Sequence, residues 1–272
     1  MTLSLTWNVA SALVRSSSRD RTGALMDLGL TGRCFLVTGA SRGLGFATAE
    51  VLVAEGAQVV LAGRDEHRVR AAADRLGAVG VAADLADPAA ADRLVEAALQ
   101  AYGRLDGALV SVGGPPAGPA LGLTDAQWQG AFDSIFLGTV RICRAVVAAL
   151  PSTGGSIALV LSTSVKTPIP GLAASNGLRP GLAMLAKTMA DELGPQGVRV
   201  NGLLPGRIAT DRLRQLDGPD PAVRTQAEQG IPLRRSGTPQ EFGQVAAFVL
   251  SPAASFITGA MLPVDGGVTR GL

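Results

Sequence analysis

The chain is expected to fold as a single doubly wound α/β domain around a parallel seven-stranded sheet, and three observations carry that expectation. Apolar residues make up 47% of the 272 positions and charged residues 17%, enough hydrophobic material to bury a sheet on both faces. From Cys34 onward, short β-branched or apolar runs alternate with longer Ala/Leu-rich segments, the pattern of βαβ units. The first of these runs feeds a glycine-rich turn and then a helix, the Rossmann-like order of parts.

Residues 1–28 stand outside that pattern and read as an extension, with the domain assigned to 29–272. The stretch Ser16 to Arg21 is rich in Ser and Arg, and Met26-Asp-Leu-Gly-Leu-Thr-Gly-Arg reads as a natural beginning. A disordered leader, or translation from a start upstream of Met26, is therefore expected. The Arg/Ser bias is shared with transit peptides, whereas a secretory signal is disfavoured because Arg15 follows the apolar run. The strands are expected at Cys34–Thr38, Gln58–Ala62, Val79–Ala83, Gly107–Val112, Ser156–Leu161, Arg199–Leu203 and Met261–Val264. Right-handed crossovers then gather the C-terminal ends of the strands along one crevice, where function is sought.

Composition excludes several classes. The formal net charge is +2 and the arginines are scattered, so no electrostatic footprint for nucleic acid is present. The longest uncharged stretches, Gly107 to Thr124 and Ala145 to Val165, are broken by Gly-Gly-Pro-Pro and Pro-Ser-Thr-Gly-Gly, which argues against a membrane span. Cys34 and Cys143 lie in apolar runs and read as buried free thiols, in keeping with a cytoplasmic protein. His67 is the single histidine and Tyr102 the single tyrosine, so a histidine-based metal site or triad is not expected, and no metal site is assigned.

The strongest local signal is Cys34-Phe-Leu-Val-Thr-Gly-Ala-Ser-Arg-Gly-Leu-Gly45, a strand entering a glycine-rich turn and a helix through Ala54. Gly39 permits the tight turn, Gly43 lets the backbone approach a pyrophosphate, and Gly45 allows close helix packing while the helix N-terminus faces the anion. About twenty residues further on, an NAD site would place an acid on the ribose 2′-hydroxyl. Here the second strand ends in Ala62-Gly63-Arg64. Arg64 and Arg42 suit a 2′-phosphate, so NADP(H) is the expected cofactor, although Asp65 beside Arg64 argues mildly the other way.

These motifs resemble the short-chain dehydrogenase/reductase family, especially members similar to 3-oxoacyl-acyl-carrier-protein reductases, over roughly Leu30 to Val268. The likeness extends through Asp84-Leu85, Ser111-Val-Gly-Gly114, Val200-Asn-Gly-Leu-Leu-Pro-Gly206 with Thr210, Ile231 to Glu241, and Ile257-Thr-Gly259 with Val264-Asp-Gly-Gly267. The resemblance implies hydride transfer between the nicotinamide and a small-molecule carbonyl or alcohol. It implies cofactor contacts at Gly39, Ser41, Arg42, Gly43, Leu44, Gly45, Arg64, Asp84, Leu85, Gly113, Arg179, Pro205, Gly206, Ile208 and Thr210. It also implies an Asn, Ser, Tyr and Lys at the reacting centre, and there this sequence departs. Ile135, seven residues after Trp128, stands at the asparagine position, while Ser175 and Arg179 stand at the tyrosine and lysine positions. Ser162, thirteen residues before Ser175, matches the serine, with Ser164 as the alternative.

Losing the tyrosine removes a general acid typically worth ~10²–10⁴-fold, which slows hydride delivery without abolishing it. Ser162 is expected to hydrogen-bond the carbonyl and Arg179 the ribose hydroxyls, while Ser175 is too weak an acid and better suited to placing a water. Lys166, four residues after Ser162, is the alternative donor if partial burial lowers its pKa, and Asn176 could help order the donor. Three function classes follow: a reductase with an altered proton source, an NADP(H)-binding regulator without turnover, and a structural partner. Arg207 to Arg235, polar and Arg-rich, reads as a lid whose arginines either attract an anionic substrate or are merely solvated. By resemblance, a homo-oligomer, dimer or tetramer, is expected through Phe132 to Leu150 and Leu178 to Leu193.

Overall fold

A computed structural model describes residues 27–271, so the expectations for residues 1–26 lie outside it. Seven strands form one parallel sheet: β1 (Cys34–Val37), β2 (Gln58–Gly63), β3 (Val79–Ala82), β4 (Gly107–Ser111), β5 (Gly155–Val160), β6 (Val198–Pro205) and β7 (Met261–Val264). Their spatial order is β3-β2-β1-β4-β5-β6-β7, so the chain reverses its direction of winding between β1 and β4 and leaves a crevice there.

Alternation along β1 shows how the sequence builds three layers. Cys34 and Leu36 face the layer that holds Leu94, Ile142 and Leu182, while Phe35 and Val37 face the layer with Leu52 and Phe242. Helices α3 (Ala90–Tyr102), α5 (Gly138–Ala149) and α6 (Ala173–Leu193) cover the first face. Helices α1 (Gly43–Ala54) and α9 (Pro239–Leu250) pack on each other across the second, with α2 (Glu66–Leu76) at its edge.

The expected strands are all present, β7 with the expected bounds and the other six with ends shifted by a residue or two. β6 runs Val198–Pro205 rather than Arg199–Leu203, because it pairs along its length with β5 on one side and with β7 on the other, as far as Pro205 opposite Val264. Thr38 and Val112 leave the ladder. Thr38 instead donates its hydroxyl to Ser111 O at 2.8 Å and accepts from Ser111 N at 2.9 Å, joining the ends of β1 and β4. The stretch Phe132 to Leu150 is preceded by α4 (Asp125–Ala131), and Phe132–Leu137 is a π-helical turn before α5. Two short helices, α7 (Asp211–Asp217) and α8 (Pro221–Gln229), complete the segment between β6 and α9.

Candidate active site

The glycine-rich turn occupies the reversal point. Gly39 has φ of 59°, and a Cβ there would lie 2.6 Å from Ser111 O, so both backbone conformation and space demand glycine. At Gly45 a Cβ would meet Gly39 O at 2.6 Å, which is how α1 comes to start directly against the turn. The N-cap residue Arg42 makes no side-chain cap and the first turn carries no acid, so the positive end of α1 is left available to an anion.

This end of α1 opens on a cleft of about 1290 Å³. The fold brings Gly39, Ser41, Arg42, Arg64, Asp84, Leu85 and Gly113 together along its walls. Gly43 and Leu44 begin the helix beneath it, and a Cβ on Gly43 would sit 3.7 Å from Cγ2 of Thr210, so the segment after β6 closes over the turn. In that segment Gly206 donates to Val264 O at 3.0 Å and Ile208 bridges to Gly237, which sets Thr210 as the N-cap of α7. Size, glycine cradle and an open helix terminus fit a dinucleotide.

The two arginines expected at the 2′-phosphate behave differently. Arg64 is exposed, with its Nη2 3.8 Å from the position of a Cβ on Gly113, so it reaches across the cleft mouth. Arg42 instead donates to Asp211 Oδ2 at 2.9 Å, pinned to α7. Sequence reasoning missed this contact because Asp211 is 169 positions away. It missed Arg212 as well, whose Nη2 donates to Pro115 O at 2.9 Å and ties α7 to the loop after β4. The lid arginines are mostly engaged within the chain: Arg207 forks onto Asp217 at 2.6 and 2.7 Å, Arg214 pairs with Asp211, Arg224 with Glu228, and Arg235 with Glu241. Solvated or paired lid surface, rather than a free cationic patch, describes these residues.

Beyond β5, the chain turns through a short 3-10 segment, Thr163–Val165, capped by Ser162, whose Oγ accepts from Ser164 N at 3.0 Å. Ser162 is half-buried and keeps its own hydroxyl proton for another acceptor. Ser164 and Ser175 are both buried and share a hydrogen bond of 3.2 Å between their hydroxyls, in which either can be the donor. Asn176 holds the loop, accepting from Ile169 N at 3.0 Å and donating to Ile169 O at 2.9 Å. Lys166 caps the end of the 3-10 turn and is exposed, so the partial burial on which its role as donor depended is not met in the free chain. Arg179 is buried, and its Nη1 donates to Val160 O at 2.7 Å. Burial pushes its pKa down to about 10. Ile135 lies buried in the π-helical turn, and Tyr102 ends α3 with its hydroxyl on Val59 O at 3.4 Å.

A parallel sheet with a glycine-rich turn at its reversal point and a cleft above defines a dinucleotide-binding α/β protein of the oxidoreductase type. The family model described as enoyl-(acyl carrier protein) reductase matches residues 39–269, and the chain belongs to this family of short-chain dehydrogenases/reductases. It is similar to an uncharacterized oxidoreductase of Mycobacterium tuberculosis, 36% identical over 244 residues that cover 86% of this chain and 91% of the relative. It is 33% identical over 258 residues to an A-factor type gamma-butyrolactone 1′-reductase of Streptomyces virginiae, covering 92% and 98%. Among solved structures, L-sorbose reductase from Gluconobacter frateurii, complexed with NADPH and L-sorbose, superposes with a TM-score of 0.85 at 29% identity, over 91% of this chain and 100% of that one.

Proposed function

We propose that the protein is an NADP(H)-dependent oxidoreductase that passes hydride between the nicotinamide and a small-molecule carbonyl or alcohol, with Ser175 and Arg179 in place of the family's tyrosine and lysine. The observation that carries the reading is the uncapped N-terminus of α1 behind the Gly39–Gly45 turn, opening on a cleft that Arg64 overlooks. The NADPH complex of the sorbose reductase and the reductase names among the relatives support it. Bound there, the cofactor supplies the hydride. The chain's own part is to place the carbonyl, with Ser162 donating to its oxygen. Ser175 is too weak an acid and bonds to Ser164, which leaves water, or the exposed Lys166 acting through water, as the proton source.

The test is consumption of NADPH with a panel of ketones, aldehydes and quinones, followed by pH profiles of Lys166→Ala and Ser162→Ala. An alkaline limb that vanishes only in Lys166→Ala identifies the lysine, and an unchanged profile assigns the proton to water. Ser162→Ala should be the more damaging change in the second case. NADPH binding with no carbonyl reduced across the panel would replace this reading with a cofactor-binding regulator.

No described helix is long and apolar enough to cross a membrane. A cytoplasmic setting agrees with Cys34 and Cys143, which are both free and buried. Homo-oligomerisation through Phe132 to Leu150 and Leu178 to Leu193 is part of the proposal, since Phe132 and Met184 are exposed there.

A further inference from the structure

Among the described residues Arg179 is the one buried arginine, and its surroundings differ from those of the part-buried Arg199. Arg199 spends its fork on the carbonyls of Val249, Leu250, Ser251 and Ile257, where the C-terminus of α9 supplies both acceptors and the negative end of a helix dipole. Arg179, on α6 one turn after Ser175, is 7% exposed and has a single acceptor, Val160 O. A guanidinium carries five N–H donors and a fixed charge, and one carbonyl neutralises none of that charge. No acid contributes to its depressed pKa, which comes from burial alone. Its remaining N–H groups are not sealed in: among the described residues the single buried side-chain polar atom lacking a partner is Arg207 Nε. Val160 ends β5 and Ser162 follows two residues later, so this cation lies at the end of the sheet where ligands bind.

We propose that Arg179 is the cationic half of an oxyanion site at the C-terminal end of β5, with the Ser162 hydroxyl as the other half and the carbonyl oxygen of the substrate as its occupant. The inference rests on the reductase reading. Hydride adds to the carbonyl carbon with its electron pair, the π pair of C=O moves onto oxygen, and the alkoxide is held by Arg179 and Ser162. Water then protonates it, and the hydroxide left behind passes to solvent. A fixed positive charge aimed at the developing negative one takes over the role that a general acid fills in the family's usual scheme, and it does so without titrating near neutrality.

The full-length protein is compared with Arg179→Met and Arg179→Lys by thermal unfolding, with sodium formate as the smallest carboxylate probe and sodium chloride at equal ionic strength as the reference. In the absence of formate, Arg179→Met should melt higher than the parent, because an uncompensated buried charge is replaced by an apolar stem of similar reach. Formate should raise the melting temperature of the parent and of Arg179→Lys but not of Arg179→Met. NADPH affinity should stay within about twofold, and turnover of any panel substrate should fall roughly 10²–10³-fold in kcat with KM little changed in Arg179→Met. A lower melting temperature in Arg179→Met with an equal formate response in all three proteins would make the arginine structural and overturn the proposal. So would a tenfold loss of NADPH affinity, which would assign it to the ribose. An Arg179-dependent formate response in a protein that consumes no NADPH would remove the reductase reading while leaving the anion site. If Arg179→Met does not fold, the formate response of Arg179→Lys against the parent decides alone: loss of the response in a protein that keeps the charge overturns the proposal, and retention supports it.

Discussion

Arg64 reaches over the cleft from the end of β2, whereas Arg42 is already held by Asp211, and the proposed role of Arg64 at the 2′-phosphate is tested on that difference. A charge-assisted contact to a 2′-phosphate is worth about 1.5–3 kcal/mol. Arg64→Ala should therefore weaken NADPH binding by roughly tenfold or more and leave NADH binding nearly unchanged, read by fluorescence titration. Arg42→Ala should cost NADPH affinity much less, and equal losses for both cofactors in Arg64→Ala would remove the assignment. Arg234 offers a second test. It has φ of 56°, a left-handed conformation that costs a residue with a Cβ about 1–2 kcal/mol. Arg234→Gly should raise the melting temperature by about 2–4 °C, unless the bond from its guanidinium to Gln229 O matters more than the strain.

Elements are joined in this fold by a few buried polar groups. Asn201, fully buried in β6, donates to Ile257 O at 2.9 Å and accepts from Ala260 N at 3.0 Å, fixing the turn that precedes β7. Asn201→Ala would strand both backbone groups, at a cost of about 2–4 kcal/mol in urea unfolding. At the other side of the lid, Glu228 accepts from the hydroxyl and N–H of Ser236 and from Arg224, and these bonds hold its carboxyl down at about 2. A lowered folded-state pKa means that this contribution is fully present above the ordinary glutamate range and is lost as pH falls towards 2. The stability gap between the parent and Glu228→Gln should therefore be constant from pH 7 to 5 and close below about pH 4. A gap that widens on acidification would contradict the assignment.

For the molecule as a whole, the seven strands and both apolar layers are built, among the described residues, from residues 28–264. Removal of residues 1–25 should accordingly leave the melting temperature and cofactor affinity unchanged, and loss of soluble protein on truncation would show that the extension belongs to the fold. Assembly is tested on the exposed face of α6. Met184, 66% exposed, is an apolar side chain with no cover in the single chain. Met184→Arg should shift light scattering from oligomer towards monomer without lowering the melting temperature of the subunit. A parent that is already monomeric at micromolar concentration would end the oligomer proposal.

The sequence alone determined the layer order, the seven strands and the place of the glycine-rich turn, because these rest on local periodicity and on glycines whose backbone roles are short-range. The resemblance to the short-chain dehydrogenase/reductase family implied that Ser162, Ser175 and Arg179 share one neighbourhood, and their contacts through Ser164 and Val160 lie there. Only the tertiary structure decided what each side chain does there. Arg42 and Arg64 are equally basic as letters, and Asp211, brought in by α7, separates them. In the sequence Lys166 reads as a donor on condition of burial, Ser175 as a weak acid suited to placing a water and Asn176 as a residue that orders the donor; the structure exposes the first, bonds the second to a neighbouring hydroxyl and engages the third with a loop backbone. The cost of burying Arg179 belongs to the same class: burial and the absence of a counter-charge are properties of packed neighbours far apart in the chain, and no local pattern encodes them.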